Sequence, residues 1–472
     1  MSAVIGTDSG LRLGETLSQR LAAHSESFSL AEVPEEVKAY AKLCMADAIG
    51  IGFASHSYDF AARSIEAITA LGDRGAHPVI GTDLRLTGRD AALLNGILIH
   101  GLDFDDTHSG AVSHGSTRAV PLVLREGQRQ GGSGAQALGA YILALETDAR
   151  IGMLAEGMLQ KIGFHPTGIV GIFGCVVAAA HMAGLDAEAT ARAQGIALSM
   201  ASGSLEFLED GSWTKRMHPG WAASSAIAAA ALAAGGFKGP LKAYEGRYGF
   251  YNLYLREIPD GVRNALDDFG SEWETLNVAI KPFPVCHFNH ACIDSMLAIR
   301  EDHDLKPSDI KSVTALIHEK QQDVVCRPEA AKRRPQNEYE GKFSVHFAIA
   351  AAAVRGRFTL QELDDETLVD PEILAVADRV TFRHDPDSRY PEFYSGGLVV
   401  ETVDGRTLEH REPVNRGAAG RRLDADAVRA KFDGNVERAL TETEADTVWD
   451  RVMNLDQSED LQPLLDSLVR PR

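Results

Sequence analysis

The chain has 472 residues, more than one ordinary domain needs, and its 44 % hydrophobic and 24 % charged residues describe a globular protein with a sizeable core, not a disordered one. A formal net charge of −20 argues against nucleic acid and anionic membrane as partners, so an anionic substrate would have to be met by a local basic island. Five cysteines (Cys44, Cys175, Cys286, Cys292 and Cys326) fit no disulfide framework or zinc ribbon, which predicts a reduced, cytoplasmic protein.

In chain order, Met1–Gln19 lacks a basic-then-apolar leader. Pro34 with Glu35 and Glu36 marks a helix start, and apolar residues follow at helical spacing over Val37–Ala54. The same spacing predicts helices over Arg89–His100, Ala135–Ile151, Thr167–Ala183, Asp186–Ala201 and Ala222–Ala234, the last stopped by Gly235-Gly236. Gly168–Leu185 is the most apolar stretch, but His181 and its many small residues make it a buried helix rather than a membrane span. Beyond residue 276 the pattern changes. Lys311–His318 and Arg379–Arg383 alternate as strands do, and Leu398–Val403 with Arg406–His410 reads as a hairpin closed by Asp404-Gly405. Helices over Gly341–Val354 and Pro371–Ala377 interleave with them. Helical character returns over Asp424–Phe432, Glu442–Met453 and Ser458–Leu468. The fold expected is therefore mainly α: a large discontinuous all-helical domain, residues 1–276 and 411–472, with an inserted smaller α+β lid domain, residues 277–410.

Four segments carry chemistry. The first, His100 to His108 with His114, packs Asp103, Asp105, Asp106, Thr107 and three imidazoles behind an apolar helix. It reads as a catalytic or binding loop; a capped helix end and an Asp/His metal site are the alternatives. The second sets His165 just before a helix start, where anions are favoured. The third, Gly211 to Gly220, gathers Lys215, Arg216 and His218 ahead of a small-residue helix and is the basic island sought, suited to a carboxylate. The fourth presents Lys281, Cys286, His287 and His290 on a proline-stiffened loop. Adjacent Cys286 and His287 make a poor thiol nucleophile pair, since neighbouring residues rarely face each other. No glycine-rich phosphate loop, nucleotide fingerprint or nucleophile elbow is present. Cations and imidazoles without a redox motif suit proton transfer beside a carboxylate.

The stretches AALLNGILIHGLDFDDTH, GFHPTGIVGIFG, TKRMHPGWAA and IKPFPVCHFNHACID, in this order, resemble the MmgE/PrpD superfamily, which includes 2-methylcitrate dehydratase, cis-aconitate decarboxylase and iminodisuccinate epimerase. The resemblance runs from about Val33 to Leu468. It implies a helical domain with an α+β lid, a homodimer, an active site between the two and no cofactor or metal. Asp103 and Thr107 resemble the family's pocket acid and its neighbouring Thr; His114, His165, Lys215 and Lys281 resemble its pocket His and Lys groups. Cys286 and His287 fall where the family varies. Phe347 stands where decarboxylating members carry Tyr, and Leu145 where many members carry Tyr. The expected function is a lyase of dehydratase or decarboxylase type, moving a proton next to a carboxylate of a small di- or tricarboxylic acid, with a dicarboxylate epimerase as the alternative. Lys215, Lys281 and Arg216 are expected to hold carboxylates with His218 and His290 nearby, His114 or His165 to exchange the proton, and Asp103 and Thr107 to orient them.

Three rival readings stand against this one. Asp103-Phe-Asp105-Asp106 matches the acid pattern of helical terpene cyclases, but at 7 % aromatic residues the chain offers few rings to hold a carbocation. A Mg²⁺-dependent phosphohydrolase would be told apart by metal analysis of the pure protein, and a non-catalytic carboxylate-binding protein would bind without exchanging protons.

Overall fold

The computed structural model describes residues 16–72 and 74–470; the expectation drawn from Met1–Gln19 falls mostly outside them. The chain is mainly helical. Among its longer helices are α1 (Glu35–Ala54), α2 (Gly88–His100), α3 (Ser116–Gln130), α4 (Gly134–Met153), α5 (Gly171–Met182), α6 (Ala187–Leu198), α7 (Thr214–Ala234), α8 (His290–His303), α9 (Val345–Arg355), α10 (Ala425–Val436) and α11 (Glu442–Met453). Local chemistry sets their ends. Ser133 and Gln136 close a reciprocal capping box on α4, and Thr441 and Glu444 do so on α11. The Asp424 carboxylate accepts from the first turn of α10.

Two large apolar cores form, with a third, minor cluster around Phe60, Leu94, Leu98 and Phe104. The larger joins α1 and α3–α7 to the C-terminal helices, so residues from Leu17 to Ile280 and from Leu423 to Leu468 share one interior. The smaller spans Phe283 to Leu408 and packs α8 and α9 on a four-stranded sheet of β1 (Ile310–Ile317), β2 (Val380–His384), β3 (Gly396–Thr402) and β4 (Thr407–Glu412). Its order is β2-β1-β3-β4, with β1–β2 parallel and the other pairs antiparallel. The β3–β4 hairpin turns at Asp404-Gly405, where Gly405 takes φ +90°.

Two expectations need correcting. The helix expected from Ala222 starts at Thr214, so the basic cluster lies on its first two turns rather than in a preceding turn, with Pro219 inside the helix. The reason is a close crossing: α2 and α7 meet at Gly96 and Gly220, and a Cβ on Gly96 would stand 2.4 Å from the Gly220 Cα. The helix expected over Thr167–Ala183 is divided at Val170 into Pro166–Ile169 and α5. Among the described residues no helix is long and apolar enough to cross a membrane.

Candidate active site

The site begins where α2 ends. After His100 the chain turns sharply, and Asp103 adopts φ +52°, a left-handed conformation that acidic and amide residues tolerate best. Thr107 and His108 then pair antiparallel with Ala279 and Val278. This two-residue ladder sets Lys281, 178 residues downstream, beside Asp103. The crossing of α2 and α7 brings Lys215 to the same carboxylate from the opposite side.

Asp103 therefore receives two ammoniums on one oxygen: Lys215 Nζ at 2.9 Å and Lys281 Nζ at 3.0 Å. Lys281 also donates to the Asp103 carbonyl at 2.7 Å. Burial alone would raise the Asp103 carboxyl; the two ammoniums outweigh it and hold it well below the usual carboxylate range. Each ammonium has three donors, so Lys215 keeps two for a ligand.

Asp105 is fully buried and serves two imidazoles. His100 Nδ1 lies 3.1 Å from one of its oxygens and His114 Nδ1 2.7 Å from the other. His114 Nδ1 is also 2.9 Å from the Asp106 carbonyl oxygen. Both of these partners can only accept, so Nδ1 carries a proton and Nε2 is the ring atom left for a substrate. Burial would raise Asp105 too, but the two imidazoles hold it well below its ordinary range. Asp106 turns away, accepting from the Ser116 N–H at 3.1 Å and from the Ser116 hydroxyl at the start of α3. Thr107 Oγ1 stands 3.4 Å from His114 Nδ1, a long contact that borders the ring rather than fixing it.

The remaining imidazoles stack in a row. His165 is 5.7 Å from His100 and 6.2 Å from His114 between ring centroids, and its Nδ1 shares a hydrogen bond of 2.9 Å with His218 Nδ1. Burial lowers His100 and His218, each to about 4, and lowers His165 well below its ordinary value, with nearby cations adding to the shift for His165 and His218. All three are neutral at physiological pH. Asp103, His114, His165, Lys215 and Lys281, five residues from four segments, thus meet in one place, with His218 against His165.

Two predicted contacts do not join them. Arg216 is committed elsewhere: its guanidinium lies 4.2 Å over the Phe60 ring and pairs with Glu338 at 3.1 Å. His290 supports the turn behind Lys281, with Nε2 donating to the Val285 carbonyl at 3.2 Å. Its ring packs against His287 and Phe283. His287, set aside in the sequence reading, is buried with Nε2 unpartnered. Its ring packs 5.1 Å from Tyr394, whose phenol burial raises to about 12. Cys286 is no thiolate, since burial pushes its thiol up to about 11. Phe347 is sealed in the smaller core, and Leu145 fills the space beside Gly115.

Ligand atoms of His100, His114 and His165, and of Asp103, Asp105 and His114, lie within 4.8 Å of one another. A divalent cation bound there would compete with the Nδ1 protons that His100 directs at Asp105 and His114 at the Asp106 carbonyl, and would be repelled by Lys215 and Lys281. The donor set fits a hydrogen-bonded proton-transfer network better than a metal centre.

A buried network of neutral imidazoles and paired ammoniums at the end of a helical core is the build of an enzyme rather than of a scaffold. Residues 19–260 match the MmgE/PrpD N-terminal domain and residues 283–457 the MmgE/PrpD C-terminal domain. The chain belongs to the MmgE/PrpD family and is an enzyme of its lyase type. It is 25 % identical over 457 residues to a cis-aconitate decarboxylase-like protein of Aspergillus oryzae, covering 92 % of this chain and 93 % of that protein. It is 26 % identical to the cis-aconitate decarboxylase of Aspergillus terreus, over 93 % of each chain. It is 28 % identical to the cis-aconitate decarboxylase of Homo sapiens, over 82 % of this chain and 81 % of the human one.

Proposed function

We propose that this protein is a cofactor-free lyase of dehydratase or decarboxylase type, acting by proton transfer next to a carboxylate on a small di- or tricarboxylic acid. The observation that carries the reading is the meeting of Lys215 and Lys281 on Asp103 beside the Asp105–His114 pair. Lys215 and Lys281 bind a substrate carboxylate and stabilise the enediolate that forms as the adjacent carbon loses its proton or CO₂. His114 Nε2 moves that proton, with Asp105 fixing the tautomer and stabilising the imidazolium. His165, already neutral and linked to His218, is the second proton carrier, while Asp103 keeps both ammoniums charged and in place. No step requires a cofactor.

The names of the relatives make cis-aconitate the first substrate to test. Phe347 and Leu145 bring no hydroxyl, so any phenolic proton donor must come from another position. Epimerisation of a dicarboxylate uses the same proton transfer and remains the alternative outcome of the same experiment. In this reading residues 277–410 form a lid on the helical domain of residues 1–276 and 411–472; their separate apolar core and the single lysine they send to Asp103 support it. A homodimer in the cytoplasm completes the proposal. Exposed Trp213, Met217 and Trp221, spaced by four at the start of α7, offer an apolar face for a second copy, and five free cysteines suit a reducing compartment.

The test is proton NMR in D₂O with cis-aconitate, citrate, methylcitrate and iminodisuccinate in turn. Solvent deuterium should enter the carbon next to a carboxylate of at least one acid, with or without net turnover. Absence of both exchange and turnover for every acid refutes the proposal, and saturable binding with no exchange points instead to a carboxylate-binding protein.

A further inference from the structure

His165 and His218, 53 residues apart in the chain, meet Nδ1 to Nδ1 at 2.9 Å. Short backbone contacts bring them face to face. The His165 N–H donates to the Gly203 carbonyl at 3.0 Å and the Leu205 N–H to the Gly163 carbonyl at 2.9 Å, while His218 stands early in α7. Glycine makes room for the approach: a Cβ on Gly168 would stand 2.4 Å from the Ser202 carbonyl oxygen and 3.2 Å from the His218 Cβ. Phe207 packs against both rings, at 6.0 and 6.2 Å between centroids, and offers neither a hydrogen bond.

This contact fixes more than a distance. Each neutral imidazole carries one N–H, and two ring nitrogens share a hydrogen bond only when one is protonated and the other bare. The ring that donates through Nδ1 therefore has a bare Nε2, and the ring that accepts carries its proton on Nε2. The two outer nitrogens are thus always unlike, one a base and the other an acid. Exchanging their roles takes a proton in at one outer nitrogen and out at the other. Among the described residues neither Nε2 has a hydrogen-bond partner of its own. His165 and His218 are 5 % and 6 % exposed, so the pair is enclosed without being sealed. Burial, helped by the Lys215 ammonium, keeps both rings uncharged at rest. Such rings pass a proton on rather than store it.

We propose that His165 and His218 form a two-ring proton relay between the substrate carbon and water, with His218 as the ring that exchanges with solvent. The inference rests on the reading of His165 as the second proton carrier. When a proton leaves the substrate, His165 Nε2 takes it, the Nδ1 proton of His165 crosses to His218 Nδ1, and the Nε2 proton of His218 passes to water. Both rings end neutral with their tautomers exchanged, and one proton has gone from carbon to solvent. Where the product carbon must instead be protonated, as after loss of CO₂, the transfers run backwards. His165 Nε2 gives its proton to carbon, His218 Nδ1 returns one to His165 Nδ1, and water supplies His218 Nε2. In this assignment His218 moves protons rather than binding a carboxylate.

The test reads the protons directly. In the full chain carrying ¹⁵N in its histidine rings, long-range ¹H–¹⁵N correlation at pH 7 without substrate reports the tautomer of each imidazole, and His165→Gln and His218→Asn identify the two rings. Opposite tautomers, or shifts averaged between them, are expected, with a scalar coupling between the two Nδ1 atoms. His218→Asn keeps an amide where Nδ1 stood, so it can still hold His165, but it has no second nitrogen to pass a proton on. With an acid that the native protein turns over, kcat should fall about tenfold or more in this variant, KM should stay within about threefold, and added imidazole should recover kcat. Both rings protonated on Nε2, a native kcat in His218→Asn, or a kcat loss that imidazole leaves unchanged would each overturn the relay. So would a raised KM with kcat retained, which would make His218 a substrate contact. The tautomers are read on the native chain without substrate. They decide the pair even where His218→Asn fails to fold, and they separate failure of the relay from failure of the proposed reaction, which shows as no exchange with any acid.

Discussion

Asp103→Asn isolates the electrostatics of the site from its shape. Asn accepts the left-handed conformation that Asp103 adopts at φ +52°, and it is nearly isosteric, so the backbone turn is retained. What disappears is the negative charge between Lys215 and Lys281. Both ammoniums lie within 3.0 Å of one carboxylate oxygen, which puts them no more than about 6 Å apart, and both side chains are largely buried. At an effective dielectric constant of about 20, two unit charges at that distance repel by about 3 kcal/mol. The same figure falls at the lower end of the ~3–5 kcal/mol typical of removing one partner from a buried ion pair. Urea unfolding followed by circular dichroism at pH 7 should therefore show Asp103→Asn destabilised by about 3 kcal/mol. The sign with pH follows. Repulsion favours release of a proton from the folded variant, which then binds fewer protons than its unfolded chain, so its stability rises with pH and the deficit narrows towards about pH 10. A variant within about 0.5 kcal/mol of the native protein at pH 7, with no narrowing at higher pH, would show that the two lysines are not held together by this carboxylate.

Four further outcomes are expected. His114→Gln should lower the rate of substrate proton exchange about 10²- to 10⁴-fold while leaving the circular dichroism spectrum unchanged; near-native exchange would transfer the proton step to another imidazole. Lys215→Ala should cost about a hundredfold or more in kcat/KM and stay folded, because Lys281 still neutralises Asp103, and normal turnover would remove Lys215 from the mechanism. His100 and His218 are held near 4 in the folded chain against an ordinary value of about 6.5, so stability is fully present above pH 6.5 and is lost as the pH falls through 4. An acid titration of His100→Asn, read by fluorescence, should accordingly show a shallower loss between those limits than the native protein, and an identical curve would contradict the buried neutral imidazole. Finally, dialysis against EDTA should leave turnover intact; activity lost and then restored by a divalent cation would overturn the proton-transfer reading in favour of a metal centre.

The elements that local chemistry determines were legible without coordinates: α11 between Glu442 and Met453, the Asp404-Gly405 hairpin, and the strand read at Lys311–His318 and found at Ile310–Ile317 all announce themselves through spacing, turns and alternation. The start of α7 did not, because Pro219-Gly220 reads as a helix boundary. Only when α2 is brought against α7 does Gly220 become a contact surface for Gly96 rather than a breaker, and that pairing joins residues 124 positions apart. The site divides in the same way. Residue types marked Asp103, His114, His165, Lys215 and Lys281, because unpaired charge and imidazole in an acidic chain need a chemical reason. Partners could not be read, since Lys215 and Lys281 reach Asp103 from 112 and 178 residues away. For that reason Arg216 and His290 looked equivalent to their neighbours, although one is taken up by Glu338 and Phe60 and the other by the Val285 carbonyl. His100 belongs to the first cluster by sequence but shows no role there: at the end of an apolar helix it resembles an ordinary core histidine, and its pairing with Asp105 exists only because the chain doubles back at Asp103. A sequence of this kind discloses which groups are too reactive or too charged to be buried idly. The fold alone decides which of them neutralise one another and which stay free to act, and here the groups left for a substrate include His114 Nε2, two donors of Lys215 and one of Lys281.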